Sequence, residues 1–139
     1  MPFPAILRSI YNAVFIRYTH CILGIYRQRR IAQKIKAIID NADNDLYVSI
    51  VSAWEIAIKR SLHRNKTTLC SVDEFLDEVE ASGFHLITLQ PHHVRLIESM
   101  PYHHRDPFDR MLIATAMAEN MVFLTADENA VKYNVKCLW

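Results

Sequence analysis

The sequence has 139 residues, of which 51% are hydrophobic and 22% charged, and it contains only two glycines. This length and composition exclude a disordered chain and predict a single domain over residues 1–139, because no repeat or low-complexity linker divides it. The formal net charge of +1 neither indicates nor excludes a nucleic-acid partner, since a local basic patch matters more than the sum.

The cysteines and the apolar N-terminal region bear on the cellular compartment. Cys21, Cys70 and Cys137 are odd in number and widely spaced, which is typical of a reducing, cytoplasmic environment. Arg8 and Arg17 interrupt the apolar start, so no run reaches the roughly 18 uncharged residues that a membrane helix needs. We therefore expect a cytoplasmic protein without membrane association.

Strand-type and helix-type patterns alternate along the chain. Apolar stretches rich in β-formers predict strands within Val14–Ile25, Leu46–Val51, Phe84–Leu89, Met121–Thr125 and Val135–Trp139. Apolar residues at helical spacing predict helices over Arg27–Ile39, Ala53–Leu62, 72–82, from Pro91 onward, Pro107–Glu119 and Glu128–Tyr133. This alternation predicts an α/β fold with a parallel sheet, in which ligands bind at the carboxyl ends of the strands.

Two helix starts are marked by side chains that cap backbone N–H groups. Ser52, with Glu55 three residues later, forms the S-x-x-E pattern of a capping box and predicts a helix beginning at Ala53. Asp106 before Pro107 predicts a second start, with an N-cap followed by proline at the first helical position.

Three acids are candidates for a metal site, although each has an ordinary structural explanation. Glu55 can close a capping box, Asp109 can interact with a helix dipole, and Asp127 can form a turn after a buried strand. Helix starts and strand ends at one edge of a parallel sheet would nevertheless bring these carboxylates together. Oxygen ligands of this kind suit Mg²⁺ or Mn²⁺, which can activate water at a phosphodiester.

Three segments carry a resemblance to a known family. They read SAWEIAIK at Ser52–Lys59, HRDPFDR at His104–Arg110 and LTAD at Leu124–Asp127. They resemble the later signature segments of PIN-domain nucleases, in particular the VapC-type toxins of toxin–antitoxin pairs. The resemblance covers Val14 to Trp139 and leaves residues 1–13 as an N-terminal extension without a recognised counterpart.

The resemblance implies a PIN-like three-layer α/β/α sandwich with a central, mainly parallel sheet. It further implies a Mg²⁺- or Mn²⁺-dependent endoribonuclease that acts on RNA, forms a homodimer and is blocked by a cognate antitoxin protein. By matching position, the metal ligands and catalytic acids would be Glu55, Asp109 and Asp127. The supporting residues would be Thr125, Asp106, Arg110, Thr19 and Ser52.

One position departs from the family pattern. The family's first strand ends in Asp-Thr-His, and the matching residues here place Tyr18 where the first acidic ligand belongs. A neutral phenol is a poor ligand for Mg²⁺. Three explanations stay open: a degenerate member that only dimerises and binds an antitoxin, a member that binds metal weakly through three acids, or a change selected because it detoxifies the product. We favour weak or absent activity.

Basic residues and paired histidines are candidates for an RNA-binding site and a zinc site. An RNA-binding groove would use the cations Arg27, Arg29, Arg30, Lys59 and Arg60. The alternative for these cations is a solvated helix face, which the sequence alone favours. The pairs His92–His93 and His103–His104 lack the spacing of zinc sites, so we expect solvated loop histidines.

Overall fold

The structure of the protein, a computed structural model, describes residues 13–17, 33–62 and 70–139. Tyr18 and Thr19, for which a degenerate and a supporting role are expected, lie outside the described residues. The same holds for the basic residues Arg27, Arg29 and Arg30.

A parallel sheet forms the centre of the fold. Its strands are β1 (Ala13–Ile16), β2 (Asp45–Ser49), β3 (His85–Ile87), β4 (Val122–Leu124) and β5 (Cys137–Leu138). Their order across the sheet is β3-β2-β1-β4-β5, and every neighbouring pair is parallel. The register aligns Val14 of β1 with Leu46 of β2 on one side and with Val122 of β4 on the other.

Helices connect these strands. They are α1 (Gln33–Asp40), α2 (Ile50–Leu62), α3 (Val72–Ala81), α4 (Pro91–Ser99) and α5 (Pro107–Ala118), with a 3₁₀ turn at Ala130–Lys132. The alternation predicted from the sequence is confirmed, with strands shorter than predicted. Among the helices of the described ranges, none has the length and apolar character needed to cross a bilayer.

Side chains alternate between the two faces of the sheet, as the two-residue period of a strand requires. Val14 and Ile16 enter an apolar cluster with α1, α2 and α3, whereas Phe15 enters a second cluster with α4 and α5. The rings of Phe15 and Phe123 pack 5.5 Å apart within the second cluster. Helices therefore cover both faces, and the predicted three-layer α/β/α sandwich is confirmed.

The order of the strands reverses beside β1. The chain runs outward from β1 through β2 to β3, then crosses to the opposite side of β1 to form β4 and β5. Because all strands are parallel, their carboxyl ends share one edge, and the reversal falls between the ends of β1 and β4. Ligands of open α/β sheets bind at such switch points.

The start of α2 differs from the prediction. The helix begins at Ile50, so Ser52 is its third residue rather than its N-cap, and the predicted Ser52–Glu55 capping box is wrong. Ser49, the last residue of β2, takes the capping contact, because its Oγ accepts a hydrogen bond from the N–H of Val51 at 3.0 Å. The strand passes directly into the helix, which leaves the Glu55 carboxylate free of the backbone.

The helix start at α5 agrees with the prediction. Pro107 is the first helical residue, and Asp106 Oδ1 accepts hydrogen bonds from the N–H groups of Phe108 at 2.8 Å and Asp109 at 3.3 Å. The Asp106 side chain therefore serves as the N-cap, and this cap fixes the position of Asp109 in the first turn of the helix.

Candidate functional site

Asp109 and Asp127 meet at the carboxyl edge of the sheet. Asp109 comes from the first turn of α5, and Asp127 from the loop after β4, next to the switch point. One ligand atom each of Asp109, Asp127 and His104 lies within 4.8 Å of the others. Two of the three acids predicted for the site are therefore adjacent.

A short hydrogen-bonded turn fixes Asp127. The buried Thr125 Oγ1 accepts a hydrogen bond from the N–H of Asp127 at 3.1 Å, and Asp127 Oδ1 accepts one from the N–H of Asn129 at 2.9 Å. Burial would raise the pKa of Asp127, but the hydrogen bonds from Asn129 and His104 outweigh it, so the pKa lies below its ordinary value. Asp127 is thus both a turn former and an ionised carboxylate facing the site.

Asp109 is buried and paired with a residue that the sequence did not indicate. Arg17, which directly follows β1, donates from Nε to Asp109 Oδ1 at 2.5 Å. Burial nevertheless raises the pKa of Asp109, because the hydrogen bond and charge of Arg17 only partly offset the loss of water. The two acids of the site therefore have pKa values displaced in opposite directions.

His104 donates a hydrogen bond to Asp127 and lies close to Asp109. Its Nδ1 accepts the N–H of Asp106 at 3.1 Å, so in the neutral ring the proton lies on Nε2. That Nε2 lies 2.5 Å from Asp127 Oδ2 and 3.3 Å from Asp109 Oδ2. A protonated nitrogen offers no lone pair to a metal, so in this tautomer His104 orients Asp127 and does not act as a ligand.

A buried hydroxyl holds the loop that carries His104. Tyr133 Oη accepts hydrogen bonds from the N–H groups of His103 at 2.9 Å and His104 at 2.8 Å. Arg110 also donates to this hydroxyl at 3.2 Å and to the carbonyl of Pro101 at 2.9 Å. Arg110 thus braces the loop below the site, and its guanidinium is directed at these oxygens rather than at the carboxylates.

The third predicted acid, Glu55, is buried on α2. Its Oε1 accepts a hydrogen bond from Lys59 at 2.7 Å, an i,i+4 pair on the same helix. Among the described residues, Glu55 Oε2 and Ser52 Oγ are the buried side-chain atoms that have no hydrogen-bond partner. Glu55 does not belong to the group formed by His104, Asp109 and Asp127, whose ligand atoms lie within 4.8 Å of one another. The preceding residue, Trp54, nevertheless packs with its ring centroid 4.9 Å from that of Phe108, which precedes Asp109.

The carboxylates of Asp109, Asp127 and Glu55 are the candidate ligands for a divalent metal. Asp109 and Asp127 supply carboxylate oxygens close together, and the unpaired Glu55 Oε2 is an acceptor whose burial is costly without a partner. An oxygen-only donor set of this kind suits Mg²⁺ or Mn²⁺. The chain's own residues therefore fit a hard cation.

A second histidine cluster is structural. Glu119, the C-cap residue of α5, has Oε1 at 2.6 Å from Nε2 of both His92 and His93 of α4, and these hydrogen bonds lower the pKa of Glu119. His93 Nδ1 accepts the N–H of Gln90 at 3.1 Å, so its Nε2 carries the proton and offers no lone pair to zinc. The expectation of solvated histidines is wrong for His93, which is fully buried and ties α4 to α5.

Of the basic residues predicted to line an RNA groove, Lys59 and Arg60 lie in the described part of the chain, and both interact with acidic side chains of the protein. Lys59 pairs with Glu55, and the charge of Arg60 is among the influences that lower the pKa of Glu74, after the capping hydrogen bonds of Ser71.

Sequence reasoning missed Arg17, Tyr133 and the role of His104. His104 stands within the HRDPFDR segment, which was a usable signal. The contact between Arg17 and Asp109 spans 92 positions, and local patterns carry no trace of it.

The carboxylates that meet at the switch point of this doubly wound α/β fold define a site suited to a divalent cation. The PIN domain model matches residues 19–136, and the chain belongs to the PIN domain family. A solved chain from the crystal structure of VapBC2 from Rickettsia felis, bound to a DNA fragment from their promoter, has the same fold. It is 12% identical, with a TM-score of 0.63 over 91% of this chain and 97% of that chain. No curated protein matches the sequence.

Proposed function

We propose that this protein is a VapC-type toxin with the chemistry of a metal-dependent endoribonuclease, and that its activity is weak. The observation that carries the proposal is the meeting of Asp109 and Asp127 at the switch point of a PIN fold, together with the buried, unpaired Glu55 Oε2. Membership of the PIN family makes cleavage of an RNA phosphodiester the reaction to test first.

Asp109, Asp127 and Glu55 would hold Mg²⁺ or Mn²⁺, which when bound supplies a polarised water and neutralises charge on the phosphate. The protein's own residues have separate roles. The turn at Thr125 and the Nε2–H of His104 fix the Asp127 carboxylate, so that little reorganisation is needed when a cation arrives. The N-cap at Asp106 fixes Asp109 in the same way.

The weakness follows from the charge of the site. The sequence has Tyr18 where the family has a first acid, so one negative charge is missing from the ligand set. A cation held by three carboxylates is bound less tightly than one held by four, because hard-cation affinity depends on ligand number and charge.

The partners proposed are an RNA substrate, a cognate antitoxin and a second copy of the chain. The fold match to a VapBC2 complex supports a search for an antitoxin. We propose that the chain works as a single domain in the cytoplasm, with no membrane association.

RNA cleavage by purified protein in Mn²⁺ tests this function. We compare the natural chain, Tyr18→Asp and Tyr18→Asp/Asp109→Asn. Tyr18→Asp is expected to cleave at least tenfold faster than the natural chain, and the added Asp109→Asn to abolish the gain, because the restored acid acts only with the other ligands. A Tyr18→Asp variant that cleaves no RNA would refute the proposed reaction.

A catalytically silent, antitoxin-binding protein is the second candidate. The observation in its favour is that each acid already has a donor from this chain: Lys59 for Glu55, Arg17 for Asp109 and His104 for Asp127. Calorimetric titration of the natural chain with Mn²⁺ separates the two candidates. A catalytically silent protein should give no heat of binding, whereas a weak metal-dependent enzyme should give a measurable one.

A further inference from the structure

The Arg17 guanidinium lies inside the candidate metal site. Its Nε is 2.5 Å from Asp109 Oδ1, with the Arg17 side chain 27% exposed and that of Asp109 only 7% exposed. Its positive charge also acts on Asp127. A single side chain thus places a cation in contact with Asp109, and its charge acts at longer range, as the smallest of several influences, on Asp127.

The backbone explains why this side chain reaches the site. Arg17 directly follows β1, and its N–H continues the pairing with β4 by donating to the carbonyl of Leu124 at 3.4 Å. Its Cα is therefore anchored at the carboxyl edge, beside the loop that carries Asp127. From there the side chain extends to the first turn of α5, where Asp109 lies.

The contact neutralises a buried acid in the metal-free protein. Burial without a partner is costly for a carboxylate, and the hydrogen-bonded guanidinium of Arg17 offsets part of that cost. The Arg17 N–H occupies one acceptor site of Asp109 Oδ1, and its positive charge repels a second cation that approaches the same carboxylate. Arg17 and a metal therefore compete for this carboxylate.

We propose that Arg17 supplies a permanent positive charge within this site. The guanidinium competes with the divalent metal for Asp109 and thereby limits the affinity of the site for the metal. This inference rests on the proposed function only in that Asp109 is a metal ligand. It adds to the effect of Tyr18, because the site both lacks one acid and carries an internal positive charge.

The size of the effect follows from the population of the paired state. When metal binding requires the ion pair to open, the apparent dissociation constant rises by the inverse of the open fraction. A charge-assisted hydrogen bond between partly buried groups keeps that fraction at about one in ten to one in a hundred. Removing the guanidinium is therefore expected to tighten Mn²⁺ binding about tenfold to a hundredfold.

The test is calorimetric titration with Mn²⁺ alone, without RNA. Arg17→Gln removes the charge, and Lys36→Gln removes an equal charge from an exposed position on α1 as the matched control. We expect the dissociation constant to fall at least tenfold in Arg17→Gln and to stay within twofold in Lys36→Gln. Should Arg17→Gln fail to fold, Arg17→Met keeps the aliphatic stem and serves the same comparison.

A second measurement follows Arg17 directly. In ¹⁵N-labelled natural protein, saturating Mg²⁺ is expected to shift the Arg17 Nε–H resonance as the guanidinium leaves Asp109, while the Arg95 Nε–H resonance of α4 stays in place. An unmoved Arg17 resonance at saturating Mg²⁺, or Mn²⁺ binding by Arg17→Gln that is absent or no tighter than in the natural chain, would overturn the inference.

The two proposals fail in different ways. A Tyr18→Asp variant that binds Mn²⁺ but cleaves no RNA refutes the ribonuclease and leaves the competition by Arg17 intact. Conversely, RNA cleavage by Tyr18→Asp with equal Mn²⁺ affinity in Tyr18→Asp and Tyr18→Asp/Arg17→Gln refutes the competition alone.

Discussion

Tyr133→Phe removes one oxygen that organises the loop beneath the site. Tyr133 is 5% exposed, and its hydroxyl accepts the N–H groups of His103 and His104 and one N–H of Arg110. Phenylalanine keeps the ring and leaves these three donors without that acceptor. Each of the two backbone donors costs about 1 kcal/mol when its bond is lost, and the charged donor somewhat more.

We therefore expect Tyr133→Phe to lower the free energy of unfolding by about 2–4 kcal/mol. At roughly 3 °C per kcal/mol for a chain of this size, Tm should fall by about 10 °C. Circular dichroism melting measures the change, and Tyr102→Phe is the control, because Tyr102 loses the same hydroxyl from a residue that is 72% exposed. A Tyr133→Phe variant that melts within about 2 °C of Tyr102→Phe would refute this reasoning.

Two further predictions concern the core and the helix pair. Leu112→Ala, at a position with 0% exposure, should lower the free energy of unfolding in urea by about 2–5 kcal/mol. The control Leu62→Ala, at 71% exposure, should lower it by less than about 0.5 kcal/mol. Similar losses in the two variants would contradict the assigned core. Glu119→Gln should be less stable than the natural chain at neutral pH. Because the hydrogen bonds of His93 and His92 lower the pKa of Glu119, the difference should hold above the ordinary glutamate pKa and vanish as the pH falls through the lowered value. A difference that is the same at pH 7 and pH 3 would argue against it.

Local patterns were sufficient for the fold class and for one helix start. The alternation of apolar strands with amphipathic helices predicted the parallel sheet, and Asp106 before Pro107 marked the start of α5 to the residue. These features depend on near neighbours in sequence, so a single sequence displays them.

The capping-box pattern led to a wrong helix start at α2, where tertiary structure decides which residue begins the helix. The Ser52–Glu55 spacing matches a capping box but forms none, whereas the equally spaced Ser71–Glu74 at the start of α3 makes both hydrogen bonds. At α2 the strand leads straight into the helix and Ser49 takes the capping position, so the motif falls one turn too late.

Two of the three predicted acids, Asp109 and Asp127, lie together in the fold, whereas the residues that contact them were not predicted. Asp109 and Asp127 follow from the rule that parallel strands share a carboxyl edge. Arg17 and His104 meet them only through long-range packing, over 92 positions for Arg17–Asp109 and 23 for His104–Asp127. The internal charge balance of the site is therefore a property of the fold that a single sequence does not display.

The central claim is that the acids at the switch point bind a divalent cation. Anomalous diffraction at the manganese edge, from crystals of Tyr18→Asp/Arg17→Gln soaked in Mn²⁺, tests it most directly. We expect an anomalous peak within coordination distance of carboxylate oxygens of both Asp109 and Asp127. A map with no peak there, or with its strongest peak at His92, His93 and Glu119, would contradict it.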